Sequence, residues 1–371
     1  MQKSSGRTGW RPSTYLAMAL LATVLTYWLR ARSADDARPV RPDSSSHHPA
    51  VKSSAEQDAA PSENSRTTPD AMKEEDMTGK LPPAAKSDAA GAERAFQDAI
   101  GRSDAEALAC LLEAIRLDVT QAKFYAAVVD IFARRGDALS ALEYLDCWSK
   151  IEPDNSLPCA LEAWAHLELG DGAAAMKALE DARELGEART HLLDLYGSIV
   201  EKGKSAGWPD SRTLNTMAMS NPSGLSGKLF RIARFLDQQA LQENAAGNGA
   251  EARKLYSLMS SLGDVTIHAD CIMLRVVSLG LRERALKGRL QLWNATSDEA
   301  SDWQNQLTET SRERERLQTV SKQMLKLYEG DLSLLPAAQL AEYIKLLREQ
   351  GEVEATKQAL LTKNLGDAAP K

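Results

Sequence analysis

Small and apolar residues recur along the middle of the chain at intervals of 34. Ala107, Ala141 and Ala175 align, as do Leu111, Leu145 and Leu179, then Ala114, Trp148 and Ala182, then Leu117, Ile151 and Leu185. Within each unit the offsets of 4, 3 and 3 place these residues on one helical face, which has to be buried. The alanine column lets helices approach closely, and the leucine four residues later fills the space between units. Gly136 and Gly170 stand 34 apart, each followed by Asp, where a turn must join two helices. Pro153 closes the middle unit, and Pro158 falls in the first turn of the next helix, where its missing N–H does no harm. The pattern predicts three stacked helix–turn–helix units over residues 91–186, in a repeat domain spanning 91–202.

Periodicity fails over 203–228, where Gly203, Gly207, Pro209, Pro222, Gly224 and Gly227 mark a boundary or loop with one short helix after Ser211. Helical signals resume over 229–365. Leu229–Ala246 is followed by Gly247 and Gly249, and Ala252, Tyr256, Met259 and Leu262 repeat the earlier offsets, predicting a divergent fourth unit. Val265–Trp293 reads as helical with a break near Gly280. Thr296 and Glu299 form a capping box for a long helix ending at Glu329. Ala337–Gln350 and Val353–Leu361, separated by Gly351, make a last pair. No strand-like alternation occurs, so the fold class is all-α.

The first ninety residues differ. After a basic tail over 1–12, residues 13–29 are uncharged and largely apolar, near the lower limit of about 17 residues needed to cross a bilayer. Trp10, Tyr15, Tyr27 and Trp28 flank the segment, as interfacial rings do. It reads either as a membrane anchor or as a signal peptide cut after Ser33; Arg30 and Arg32, sitting where a cleavage region is normally uncharged, favour the anchor. The expected layout is single-pass, with the helical domain outside the cytoplasm. Within the linker 30–90, residues 33–90 are rich in Ser, Ala, Pro and mixed charge with almost no large apolar residues after Val51, a composition expected to stay disordered. Such a tether of about 57 residues would reach roughly 40 Å.

Charge and chemistry narrow the function. The net charge is −7, but residues 1–90 hold 12 Lys/Arg against 11 Asp/Glu, so the helical remainder carries the acidic surplus. That argues against nucleic acid, which needs a basic surface. The four cysteines, Cys110, Cys147, Cys159 and Cys271, show no metal-ligand spacing, and His47–His48 lies in the tether. Ser226-Gly227-Lys228 hints at a phosphate loop, but Leu229 stands where the hydroxyl residue belongs. No cofactor, metal or catalytic residue is expected. One basic stripe stands out: Arg275, Arg282 and Arg289 recur every seven residues, either to dock an acidic partner or to pair within the chain.

The 34-residue unit resembles the tetratricopeptide repeat (TPR) family over about a quarter of the chain. In the middle unit the family's positions fall on Tyr125, Val128, Val129, Phe132, Gly136, Ala141, Leu145, Trp148 and Pro153. Val129 replaces the family's first-helix glycine, and the third unit has no terminal proline after Leu185. The resemblance implies a groove lined by the first helices, here presenting Phe96, Asp130, Arg134, Trp164 and Glu168, with burial between repeats as the alternative for Phe96 and Trp164. The family's clamp for chaperone C-termini needs Lys and Asn where this chain has Ala92, Phe96, Ala127, Leu157 and Leu161. The sequence therefore suggests a membrane-tethered scaffold for a protein or peptide partner at the cell envelope. The alternatives are a structural subunit without a working groove, and an α-helical enzyme whose site is dispersed.

Overall fold

A computed structural model describes residues 87–220, 223–292, 297–329 and 336–367. The basic tail, the apolar segment 13–29 and the tether lie outside them, and among the described residues no helix is long and apolar enough to cross a membrane. The described residues belong to one compact unit, Leu81–Lys371.

The described residues form helices and no strands, which makes the fold all-α. The first six helices are α1 (Ala89–Ala99), α2 (Asp104–Leu117), α3 (Ala122–Arg135), α4 (Ala138–Ile151), α5 (Ser156–Glu168) and α6 (Gly172–Leu185). Helices α2, α4 and α6 each have 14 residues and start 34 apart. The cause is local. Gly136 and Gly170 end α3 and α5 with φ of 73° and 81°, a left-handed turn that is cheap only for glycine. The Asp after each glycine then caps the next helix: Asp137 accepts from the Ser140 N–H and Asp171 from the Ala174 N–H. In the first unit a capping box replaces this device, with the Glu106 carboxylate reaching back to the Ser103 N–H.

Each hairpin packs on the next, α2 against α3 and α4 against α5. The repeated columns supply the packing. Ala141, Ala175 and Leu145 have no exposure, and Trp148 is 1% exposed. The fourth column drifts outward, and Leu185 is exposed.

After α6 the chain leaves this register. Helix α7 (Leu192–Ser205) packs back on α1, and α8 (Asp210–Met219) packs on α7. A second hairpin series then begins with α9 (Ser223–Ala245) and α10 (Gly249–Thr266), which lie against α5 and α6 respectively. Thus 203–228, expected as a boundary, holds α8 and the start of α9, and Ser226–Lys228 is helical rather than a loop. Helix α11 (Ile272–Leu292) runs unbroken through Gly280; the interruption falls before Ile272 instead. Buried Leu274, Val277, Leu281 and Ala285 hold it together, outweighing the roughly 1 kcal/mol cost of a mid-helix glycine.

The last two helices are α12 (Ser297–Glu329), which packs along α11, and α13 (Ala337–Asp367). Residue Thr296 of the expected capping box lies outside the described residues. Helix α13 bends at Gly351, whose φ of 78° and ψ of 176° are not helical, and returns to α7 and α8. The C-terminal end of the fold is thereby tied to the insertion near its middle.

Candidate functional site

The face expected to form a groove is carried by α1, α3 and α5. Each of these helices is touched by a later helix: α7 lies on α1, and α9 lies on α3 and α5. Phe96 of α1 is 2% exposed and packs against Phe124 with ring centres 5.2 Å apart. Beside it, Lys123 of α3 pairs with Glu93 of α1 at 2.6 Å, and Glu93 also accepts the Ser198 hydroxyl of α7 at 2.7 Å. Lys202 of α7 donates to the Gln97 and Ile100 carbonyls at the C-terminal end of α1, 2.7 and 3.0 Å away. A cation there also complements the helix dipole.

Trp164 of α5 has no exposure. Its Nε1–H donates to Glu168 at 3.1 Å, and Lys228 of α9 stands 4.3 Å from its ring centre. Arg231 of α9 closes the set on Glu168 at 3.0 Å. Burial pushes the Lys228 ammonium below its ordinary value, against the pull of Glu168. Phe96 and Trp164 are therefore buried, the alternative to groove presentation that the sequence left open for them. Asp130 and Arg134 sit together on α3, 34 residues before Trp164 and Glu168, with Arg134 bonded to Asp130 and, at 2.9 Å, to Asp104 of α2. Arg134 is exposed; Asp130 is half-buried.

The basic stripe on α11 faces its own chain. Arg275 donates to the Ala269 carbonyl at 2.7 Å, and Arg282 pairs with Asp264 of α10 at 3.0 Å. Burial lowers the Arg289 guanidinium and Asp264 opposes that effect. Asp264 in turn is pushed up by burial, against the pull of Arg282, Arg289 and His268. The neighbours Arg284 and Lys287 pair with Asp237 and Glu283. Intramolecular pairing, the plainer of the two expectations, describes Arg282, Arg284 and Lys287.

Two polar centres had no warning in the sequence. In one, Glu352 beside the α13 bend is 2% exposed, accepts the Tyr196 hydroxyl of α7 at 2.8 Å and accepts the Ile272 N–H at the start of α11 at 3.0 Å. In the other, Glu152 at the end of α4 accepts Trp148 Nε1–H, Asn155 Nδ2–H and a ring nitrogen of His191, all at 2.8–2.9 Å. His191 caps the start of α7 at φ 57°, the one non-glycine residue with positive φ among those described. Such a conformation costs about 1–3 kcal/mol and persists only where the surroundings enforce it. The only local signal for it was His191 three residues before Asp194.

Open clefts lie elsewhere on the described residues. One of about 340 Å³ lies between α6, α9 and α10, lined by Met176, Phe235 and Leu255 with Glu243 and Glu251 at its rim. Another, of about 310 Å³, lies between α7, α8 and α13 and includes Trp208, Ile344, Lys345 and Arg348. Neither lining holds a cysteine or histidine. Burial pushes the Cys159 thiol up to about 11 and raises Cys147, the opposite of an activated nucleophile. Among the described residues no three His, Cys, Asp or Glu side chains gather in a way that could hold a metal. No protein-family model matches this chain, and no curated protein is similar to it in sequence.

Proposed function

We propose that this chain is a membrane-tethered, non-catalytic scaffold of TPR-like hairpins that serves as a structural part of a cell-envelope complex through its outer surfaces. One observation carries the choice of outer surface over groove: α7 and α9 cover the faces of α1, α3 and α5 and leave Trp164 with no exposure. A peptide would have to displace helices anchored by Tyr196, Ile199, Leu229, Ile232 and Leu236, all at 1% exposure or less. Each such side chain contributes about 1.5–3 kcal/mol of burial. A short peptide cannot recover that sum. The 34-residue units favour a TPR-like stack, and the apolar segment 13–29 followed by a polar tether favours attachment to a membrane.

Photo-crosslinking in the full chain, in native membranes, tests this reading. A crosslinking residue at the exposed positions Leu139 of α4 or Met219 of α8 samples the surface away from α1, α3 and α5, and one at the exposed Arg134 samples the groove helix α3. The proposal expects partner crosslinks from the first group and none from Arg134. Crosslinks from Arg134 that vanish in an Asp130→Lys variant would favour groove recognition instead. Deleting residues 13–29 should move the protein from the membrane to the soluble fraction.

A further inference from the structure

The segment between α6 and α7 lies along the α4–α5 turn. Part of its attachment does not depend on pH. Asn155, fully buried, accepts the Arg189 N–H and donates to the Arg189 carbonyl, while Ser156 bonds the Glu187 and Gly186 carbonyls. His191 adds an attachment of another kind. Its Nδ1 stands 2.9 Å from Asp194 Oδ2 and its Nε2 stands 2.9 Å from Glu152 Oε2. A carboxylate only accepts, and a neutral imidazole has a single N–H. Both contacts are satisfied together by the imidazolium form. Glu152 cannot supply a proton in its place, because Trp148 and Asn155 already donate to the same oxygen.

We propose that His191 is a charge-operated latch: as an imidazolium it fastens the first turn of α7 to the end of α4, and on losing its proton it releases that turn. The groups around it favour the charged form. Glu152 and Asp194 touch it directly; Asp154 faces the site with its charge met by Arg189. From α3, Lys123 acts on Asp194 but is bound to Glu93. Asp194 also faces Asp270, which is acted on in turn by Glu187 and Arg275. Burial works against a charged ring, yet the hydrogen bonds to Asp194 and Glu152 outweigh it, and His191 titrates above its ordinary value. The latch is therefore fully fastened below the ordinary imidazole range and opens as pH rises through the raised value. Beyond the first turn α7 stays seated, because Tyr196 and Ile199 are buried in the core whatever the charge.

Hydrogen exchange read by mass spectrometry on the detergent-solubilised full chain tests the latch. After correction for the chemical exchange rate, the amides of residues 192–195, resolved by overlapping peptides, should exchange at least tenfold faster at pH 9 than at pH 6. Peptides from α2 should change less than twofold. A His191→Gln variant keeps one donor but no charge, so the same amides should exchange at the open rate at both pH values. Nitrogen NMR of the wild-type ring at pH 6, assigned by the signal lost in H191Q, should show both ring nitrogens protonated. A neutral ring at pH 6, unchanged protection at pH 9, or pH 6 protection retained in H191Q would each overturn the proposal. The NMR measurement decides the matter even if H191Q fails to fold.

Discussion

The hairpins α1–α6 and the insertion α7–α8 are built on different principles. In the hairpins, short-range rules do the work: a glycine ends one helix, an aspartate starts the next, and alanine and leucine columns 34 apart stack the units. The insertion has a buried apolar stripe as well, but its placement depends on polar contacts with residues far away in the chain. Ser198 and Lys202 reach α1, Tyr196 reaches Glu352, and His191 reaches Glu152. Apolar packing is tolerant of direction, whereas a buried hydrogen bond is specific and costly to leave unmade. The repeats thus make the stack, and the polar contacts decide what lies across it.

The largest expected effect falls on the stack. Leu145→Ala removes a side chain with no exposure from the column between hairpins, and should lower unfolding stability by about 2–5 kcal/mol in denaturant titration. A cost below 1 kcal/mol would mean that the columns do not carry the packing. Next comes the link between insertion and C-terminal helix. Glu352→Gln replaces the carboxylate that accepts from both Tyr196 and the Ile272 N–H by an amide with one uncharged acceptor oxygen, costing about 1–3 kcal/mol. Tyr196→Phe should cost less, about 0.5–1.5 kcal/mol, and the double variant should be less than additive. Additive effects would deny that α7 and α13 are coupled through this pair. Smaller again, Asp171→Ala removes a helix cap and should cost about 1 kcal/mol, with Asp137→Ala giving a similar value if the two turns are equivalent.

Legibility in the sequence followed the same division. The Gly–Asp turns and the bend at Gly351 rest on neighbouring residues, and the repeat columns on one fixed spacing of 34, so each stands out as a pattern in the sequence. Gly280 misled because its neighbours' burial, which no local pattern records, overrides its own preference. Ser198, Lys202 and Glu352 look like ordinary helix-surface residues until folding brings together positions about a hundred or more apart. The groove face shows the limit most clearly. Trp164 and Glu168 are four residues apart on one helix and share a hydrogen bond, but nothing near them could reveal that Lys228 and Arg231 would reach the pair.

The central claim is that the chain's own helices occupy the face a repeat scaffold would offer to a peptide. Hydroxyl-radical footprinting of the native full chain, read by mass spectrometry and normalised to each side chain's intrinsic reactivity, tests it directly. Phe96 and Trp164 should be modified at least tenfold more slowly than Leu139 and Met219, which are 65% and 68% exposed. Modification of Trp164 at the rate of those exposed residues would contradict the account, because it would mean that α9 does not cover α5.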